Sequence, residues 1–196
     1  MQVFKSLDNA TLVSLLKNGA VGFIPTDTVY GIVAAANIEA AVANLYSLKN
    51  RVSNPGPIIA SSIDQLVDIG IKRSYLNAVK QFWPNPISIE IPHNINYLNQ
   101  GTGRQAFRII KGDEDLIKLL EAVGPLVTSS ANLPYQPPAN NLDEGEKYFG
   151  ESLDFYVGGG DLSDRKPSTL IRIIDDSIEV IREGAVKVSE SGVVSY

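Results

Sequence analysis

The chain has 196 residues, no cysteine, one histidine and a formal net charge of −5. The lack of cysteine excludes disulfide bonds, thiolate metal sites and a cysteine nucleophile, and a single histidine excludes clustered histidine metal sites. The acidic balance disfavours a broad nucleic-acid-binding surface. The length suits one domain over residues 1–196. With no secretion signal and no long apolar run in the sequence, we expect a cytoplasmic protein without a membrane anchor.

Predicted helices and strands alternate along the chain. Apolar spacing, capping residues and glycine stops predict helices at residues 8–18, 37–48, 63–69, 74–83, 113–123 and 142–149. Apolar or alternating runs predict strands at residues 20–26, 57–61, 87–92, 106–110, 125–130, 154–159, 168–174 and 178–184. Asn37 is the expected cap of the second helix. The pattern predicts an α/β fold: a single-domain twisted mixed β-sheet with helices on its faces.

Two cations follow the second predicted helix. Lys49 and Arg51 lie where that helix gives way to a turn containing Pro55 and Pro57. Cations complement the negative end of a helix dipole, which would explain both as helix-terminal charges. The alternative is an anion-binding clamp, because an arginine fork and a lysine ammonium both suit phosphate. This stretch alone leaves the two interpretations open.

Polar side chains stand next to several predicted strands. Residues 26–28 are Thr-Asp-Thr, residues 129–132 are Ser-Ser-Ala-Asn, and Ser168 and Thr169 open a later strand. Such groups close turns through hydrogen bonds from side chain to backbone. They also suit small polar ligands, which bind at strand ends in open α/β sheets.

Taken in order, these stretches resemble the YrdC-like family of threonylcarbamoyl-AMP synthases. The family motifs have counterparts in PTDTVYG at 25–31, KNR at 49–51, WPNP at 83–86, FRI at 107–109, SAN at 130–132, ST at 168–169 and REG at 182–184. No single motif is specific, but their order is. The similarity extends over residues 10–187, which is nearly the whole chain.

The resemblance implies a reaction in which L-threonine, bicarbonate and ATP form threonylcarbamoyl-AMP and pyrophosphate for the t6A modification of tRNA. It implies Mg²⁺ that enters with the ATP phosphates and is not held by protein side chains. It also implies transient contact with tRNA or with the transferase that uses the product. The resemblance assigns catalysis to Lys49 and Arg51. The positions that it assigns to ATP are Lys49, Arg51, Arg108, Asn132, Asn140 and Arg182. Those that it assigns to threonine are Thr28, Ser130 and Ser168.

Several positions depart from the family pattern. Val52 and Pro55 replace a proline and a later lysine or asparagine, Ala60 and Gly112 stand where some members carry histidine, and Arg172 replaces a common aspartate. The resemblance therefore supports the ATP side better than the threonine side. An RNA-binding YrdC-like module and a paralogue acting on another carbamoylated substrate remain alternatives. The carbamoyl-transfer domain of hydrogenase maturation is a weaker one, because its acylphosphatase and zinc-finger segments are not in this sequence.

Some single residues have a structural interpretation beside the functional one. Arg108 would face solvent if its strand were exposed on one side, and Arg182 would form a surface pair with Glu179 or Glu183. His93 matches no family ligand and is expected in a loop. The aromatic residues expected in the core are Phe82, Trp83 and Phe107.

Overall fold

A computed structural model of the chain describes residues 1–133 and 135–196. The helices are α1 (Ala10–Lys17), α2 (Glu39–Leu48), α3 (Ile63–Asp68), α4 (Arg73–Val79), α5 (Asn96–Asn99), α6 (Glu114–Val123) and α7 (Leu142–Phe149), with 3₁₀ turns at Lys80–Phe82 and Gly150–Ser152. The strands are β1 (Gln2–Phe4), β2 (Gly22–Ile24), β3 (Gly31–Ala35), β4 (Ile58–Ala60), β5 (Ile87–Pro92), β6 (Arg104–Ile109), β7 (Leu126–Ser130), β8 (Phe155–Val157), β9 (Thr169–Ile174), β10 (Ser177–Arg182), β11 (Lys187–Val188) and β12 (Val194–Ser195). Within these ranges each helix is too short or too polar to cross a lipid bilayer.

Ten strands form one sheet in the order β1-β8-β2-β3-β7-β4-β6-β5-β9-β10, and β11 and β12 form a separate hairpin. The neighbours β2 and β8, β4 and β6, and β5 and β9 run parallel. The neighbours β2 and β3, β3 and β7, and β5 and β6 run antiparallel. This mixed sheet with helices confirms the predicted α/β class. A single domain over residues 1–196 stays a prediction.

Helices cover the two faces of the sheet unequally. On one face α1 and α6 bury Leu12 and Leu120 against residues of β2, β3, β4, β7 and β8. Among the described residues, that buried cluster includes none from β5, β6, β9 or β10. On the other face the core extends under α2, α4 and α5, through Leu45, Leu76 and Leu98. Half of the first face therefore remains free of helices.

Some local predictions are wrong. The N-cap of α2 is Ile38 and no side chain caps that helix, so Asn37 is not its cap. The predicted helix at 74–83 ends early, because a 3₁₀ turn follows α4 and Trp83 lies beyond it, half-buried. The sequence pattern also misses β1, β3, α5, β11 and β12. The residues of β3 are buried on both sides, so this strand lacks the alternation that marks a half-exposed one.

Helix α7 packs closely on strand β2 at Gly145. A Cβ added to Gly145 would lie 2.6 Å from two atoms of the Phe23 ring. That ring is fully buried and stacks on Tyr30, with ring centroids 4.5 Å apart. The ring therefore has little room to move.

We expect Gly145→Ala to lower the free energy of unfolding by about 1–2 kcal/mol, measured by urea denaturation. Overpacking typically costs about 1–3 kcal/mol and outweighs the gain of about 1 kcal/mol from replacing a helical glycine by alanine. Lys147→Ala, at an exposed position of the same helix, is the control and should change stability by less than about 0.5 kcal/mol. A stabilised Gly145→Ala variant would contradict the close packing.

Candidate active site

The helix-free half of the sheet face carries a band of polar side chains. Because side chains alternate along a strand, the register of β5, β6 and β9 sets one group of residues on this face. These residues are Ser88, Glu90, Arg104, Ala106, Arg108, Leu170 and Arg172. Their neighbours Ile87, Ile89 and Phe107 pack in the core of the opposite face. The sheet itself therefore forms the floor of a polar cleft.

Arg108 lies at the centre of this floor. It is 4% exposed, so the interpretation of a solvent-facing position is wrong. Its Nη2 donates to Asp27 Oδ1 at 2.7 Å and to Thr28 Oγ1 at 3.4 Å, and its Nη1 donates to Ser88 Oγ at 3.5 Å. The Nε has no hydrogen-bond partner within the described residues. This buried ion pair joins the connection between β2 and β3 to the middle of β6.

Serine hydroxyls continue the network from Arg108 toward the edge of the sheet. The hydroxyls of Ser88 and Ser168 lie 2.9 Å apart, and Arg182 Nη2 donates to the Ser168 carbonyl at 2.7 Å. The register of β10 shifts just before Arg182, which marks a β-bulge at this end of the strand. The guanidinium of Arg182 therefore enters the cleft.

The expected pairing of Arg182 with Glu179 or Glu183 is wrong. Neither salt bridge forms within the described residues, and Glu179 instead lies 3.6 Å from Arg172. Burial lowers the pKa of Arg182, and the nearby Arg108 lowers it further. The first effect shows that the Arg182 cation is partly desolvated, and the second that it lies near another cation; an anion bound between them would relieve both.

Two adjoining cavities open on the polar floor. The inner cavity has a volume of about 70 Å³ and is lined by residues that include Thr28, Ser130 and Ser168. The outer cavity has a volume of about 350 Å³ and extends over Pro55, Glu90 and Arg104. The walls common to both are Arg51, Pro57 and Arg182.

The turn that carries Arg51 is held from several sides. Arg51 Nη1 donates to the Asn54 carbonyl at 2.7 Å. The Gln100 side chain donates to the Arg51 carbonyl at 2.8 Å and accepts from the Asn54 N–H at 2.9 Å. Burial lowers the pKa of Arg51, Tyr46 opposes this effect, and Arg182 adds to it. Arg51 is thus a preformed part of the cleft wall.

Positive charge exceeds negative charge around the inner cavity. Arg51, Arg108 and Arg182 all line it, and Asp27 is the carboxylate that compensates one of them. Guanidinium forks form short, strong hydrogen bonds with carboxylates and phosphates. The geometry therefore suits a substrate that carries one or more negative charges.

Lys49 supports the loop that follows β7. It is the C-cap residue of α2, and its ammonium donates to the Ser130 carbonyl at 3.0 Å, to Asn132 Oδ1 at 3.0 Å and to the Asn132 carbonyl. The Ser130 hydroxyl donates to the same Asn132 Oδ1 at 2.8 Å. Burial, followed by the charge of Arg51, lowers the pKa of Lys49 to about 8. Lys49 orders this loop, and its contact with phosphate stays a prediction.

The inner cavity brings together most of the predicted site residues. Those that line it are Thr28, Arg51, Arg108, Ser130, Ser168 and Arg182. Lys49 and Asn132 reach it through their contacts with Ser130. Asn140 is not among the lining residues, and its backbone N–H donates to the Glu144 carboxylate at 2.8 Å. The roles assigned to these residues stay predictions.

The sequence interpretation did not assign Asp27 or Ser88 to the site. Asp27 carried a signal as part of Thr-Asp-Thr, which the sequence left open between a turn and a ligand site, whereas Ser88 and Glu90 share a face of the alternating strand β5. Thr26 does close the turn, because its hydroxyl accepts from the Thr28 N–H at 3.2 Å. The turn interpretation is therefore confirmed for Thr26, and the ligand interpretation of this motif stays a prediction.

The strength of the Asp27–Arg108 pair can be measured against an exposed pair of equal length. Arg73 and Asp64 are also 2.7 Å apart, but their side chains are 52% and 74% exposed. We expect Asp27→Ala to lower the free energy of unfolding by about 3–5 kcal/mol, because it leaves the Arg108 cation buried and unpaired. Asp64→Ala should cost at most about 1 kcal/mol. Equal losses in chemical denaturation would show that burial adds nothing to the pair.

The sequence and the fold were compared with known proteins. A family model described as Telomere recombination, Sua5_yciO_yrdC, matches residues 14–184. A threonylcarbamoyl-AMP synthase of Klebsiella pneumoniae subsp. pneumoniae is 34% identical over 157 residues, which is 76% of this chain and 83% of that protein.

Two solved structures share the fold. P. abyssi Sua5 complexed with L-threonine superimposes with a TM-score of 0.82 at 24% identity, over 95% of this chain and 58% of that chain. E. coli YciO superimposes with a TM-score of 0.78 at 20% identity, over 93% of this chain and 95% of that chain. This chain therefore spans less than two thirds of the Sua5 chain and nearly all of the YciO chain. The match of the family model over most of the sequence shows that the chain belongs to the Sua5/YciO/YrdC family.

Proposed function

We propose that this protein is a threonylcarbamoyl-AMP synthase, which converts L-threonine, bicarbonate and ATP into threonylcarbamoyl-AMP, pyrophosphate and water. The observation that carries the proposal is a cleft in which three guanidinium groups meet hydroxyl groups on the helix-free half of one sheet face. The name of the Klebsiella relative and the L-threonine complex of Sua5 support the choice of substrate class.

The two adjoining cavities suit two substrates of different size. The inner cavity, with the hydroxyls of Thr28, Ser130 and Ser168, suits threonine and its carbamate. The larger outer cavity suits the nucleotide. Arg51 and Arg182 lie between the cavities, where a carbamate oxygen would attack the α-phosphorus of ATP. The new oxygen–phosphorus bond forms as the bond to pyrophosphate breaks, and pyrophosphate leaves with the electron pair.

Catalysis in this proposal comes from position and charge. The carbamate is already an anion, so the adenylation step requires neither a covalent nucleophile nor a histidine base. Arg51 and Arg182 hold the two anions side by side and stabilise the charge that develops on the departing pyrophosphate. Arg108 contributes positive charge from beneath, and Lys49 and Asn132 fix the loop that presents Ser130. Asn140 does not line either cavity, and it is proposed to contact ATP where the nucleotide extends outside them.

Mg²⁺ is proposed to enter with ATP. Two carboxylates at the cleft, Asp27 and Glu90, are engaged by Arg108 and Arg172 at 2.7 Å. Residues 1–133 and 135–196 contain no group of three or more histidine, cysteine or acidic side chains that could hold a metal ion. Mg²⁺ binds readily to substrate phosphates and keeps several of its waters, so this donor set fits an ion carried by the nucleotide.

The departures from the family pattern lie mostly away from the inner cavity. Ala60 is fully buried in the core of the opposite sheet face, and Val52 is 84% exposed. Gly112 has a φ of +87° and no atom within 4 Å of an added Cβ. Pro55 lines the outer cavity. The histidine that Ala60 replaces would therefore not line the threonine side of the cleft, which supports threonine as the amino acid.

We further propose that the product is used in the cytoplasm for tRNA modification, with transient contact to tRNA or to the transferase. The net charge of −5 supports a brief contact more than a stable RNA complex. The alternative function is an RNA-binding module without catalytic activity, which a binding measurement at several salt concentrations would detect. Its affinity would fall steeply with salt, with a log–log slope of about −0.7 for each phosphate of a single strand that it neutralises.

The proposed activity predicts a specific product. Incubation with ATP, Mg²⁺, bicarbonate and L-threonine should yield threonylcarbamoyl-AMP, detected by mass spectrometry, with one pyrophosphate per product. L-Threonine should outpace L-serine because its methyl group fills space, and L-valine because its hydroxyl is paired with the site. Release of pyrophosphate without bicarbonate would sink the carbamoylation chemistry. Equal rates with all three amino acids would sink the threonine assignment.

The two cations of the KNR motif should both affect ATP. We expect Arg51→Ala and Lys49→Ala each to raise the KM for ATP by about tenfold or more, because loss of a charge-assisted hydrogen bond costs about 1.5–3 kcal/mol. The melting temperature should change little. Arg73→Ala, at an exposed position, is the control and should leave the KM unchanged. Variants that lose stability and keep the KM of the unmodified protein would restore the helix-terminal interpretation.

A further inference from the structure

The sheet face opposite the cleft contains two buried polar atoms without partners. His93 Nε2 and Gln105 Oε1 make no hydrogen bond to any described residue. The register sets Ile91 opposite Gln105, and the His93 N–H donates to the Gly103 carbonyl at 3.0 Å. His93 and Gln105 are therefore diagonal neighbours on one face of β5 and β6, within reach of each other's side chains.

The partners of the Gln105 amide fix its orientation. Its Nε2 lies 2.6 Å from the Gly56 carbonyl and 3.2 Å from the Tyr46 hydroxyl. Only the NH₂ end of the amide can face a carbonyl oxygen at that distance. The Tyr46 hydroxyl donates to the Leu98 carbonyl at 2.6 Å, so it also accepts from Gln105. The oxygen of Gln105 must therefore take its hydrogen bond from another donor.

The ring of His93 can supply that donor in one tautomer. Its Nδ1 accepts from the Ile95 N–H at 3.3 Å, so Nδ1 carries no proton and the neutral ring carries its proton on Nε2. Burial lowers the pKa of His93, which favours the neutral ring, and the neighbouring Gln105 side chain opposes that shift. The free donor on His93 and the free acceptor on Gln105 are complementary.

We propose that His93 is a positioning residue whose Nε2–H donates to Gln105 Oε1 and so fixes the turn that carries Arg51. Gln105 holds the Gly56 carbonyl, and Gly56 packs so tightly that a Cβ would lie 2.3 Å from the Thr128 carbonyl oxygen. The turn is thus held between Gln105 on one side and β7 on the other. A shift of Gly56 moves the turn and, with it, the Arg51 guanidinium in the cleft wall.

His93 also supports the second glutamine that holds this turn. Its carbonyl accepts from Asn99 Nδ2 at 2.7 Å, and Asn99 is followed by Gln100, which bonds both Arg51 and Asn54. The one histidine of the chain therefore supports both glutamines that hold the turn, Gln105 and Gln100. It acts from behind the sheet, without touching a substrate.

The tautomer gives a direct test in the substrate-free protein. Because the chain has one histidine, ¹⁵N labelling of histidine reports a single ring. A long-range ¹H–¹⁵N spectrum at neutral pH should show the Nε2–H tautomer, and Gln105→Met, which removes the acceptor, should shift the Nε2 resonance. A proton on Nδ1, a charged ring, or no shift in Gln105→Met would overturn the proposal.

A matched pair of variants tests the effect on the site, and this arm rests on the proposed function. In His93→Asn, the asparagine oxygen can replace Nδ1 as the acceptor, but the side chain is too short to place a donor where Nε2–H was. In His93→Gln, the longer side chain can place its NH₂ group at that position. We expect His93→Asn to raise the KM for ATP about fivefold, the effect of one hydrogen bond, with little change in kcat. His93→Gln should restore most of the affinity. Equal effects of the two variants, or an unchanged KM in His93→Asn, would overturn the proposal.

Hydrogen exchange separates this inference from the synthase assignment. The Asn54 amide donates to Gln100, so its exchange rate reports how firmly the turn is held without any substrate. We expect faster exchange of this amide in His93→Asn than in His93→Gln, whether or not the protein makes threonylcarbamoyl-AMP. Failure to make that product would reject the proposed function and leave the positioning role of His93 intact. Equal exchange in both variants would overturn the positioning role. If His93→Asn does not fold, the tautomer of the unmodified protein decides the question.

Discussion

The ion pair between Asp27 and Arg108 is the interaction around which the cleft is organised. A guanidinium on a side chain that is 5% exposed is stable only with a close carboxylate and further hydrogen-bond acceptors; Asp27 supplies the carboxylate, and the hydroxyls of Thr28 and Ser88 supply acceptors. It ties the connection between β2 and β3 to β6, although these segments are 81 residues apart in sequence. The hydroxyls of Ser88 and Ser168 then relay the contact to Arg182. Charge, hydroxyls and cavity walls are thus parts of one connected network.

Uneven coverage by helices gives this network access to a ligand. Where α1 and α6 cover the sheet, the face below them is apolar, as in the residues of β3 and β7 that pack there. Where they do not, the same face is polar from β6 to β9. The reverse face is largely apolar behind the cleft, and the polar groups buried there include Tyr46, Gln105 and His93. One face of the sheet therefore packs against core along its length, and the other carries a polar cleft where α1 and α6 do not cover it.

Local signals allowed much of the fold to be predicted, and long-range contacts limited the rest. The bounds of α7 and β5 follow from sequence pattern, because a capping asparagine and a strict alternation act within a few residues. The strand β3 does not, because both of its faces are buried and its small residues also suit a helix. Motif order placed Thr28 and Arg182 in one site, but the carboxylate that compensates Arg108 depends on pairing across the sheet. The same holds for Lys49, whose partners at the end of β7 and in the loop after it are 81 and 83 residues away.

The β-bulge before Arg182 has a mechanical consequence. It lies in β10, the last strand in the order of the sheet, where an extra residue displaces no outer neighbour. An insertion or deletion at this border changes the reach of one arginine and leaves the register of the interior strands intact. Arg108, by contrast, sits between two paired strands and cannot be moved without shifting both. The cleft thus combines one cation fixed by the architecture with one that evolution can reposition independently, so its width is adjustable from a single side.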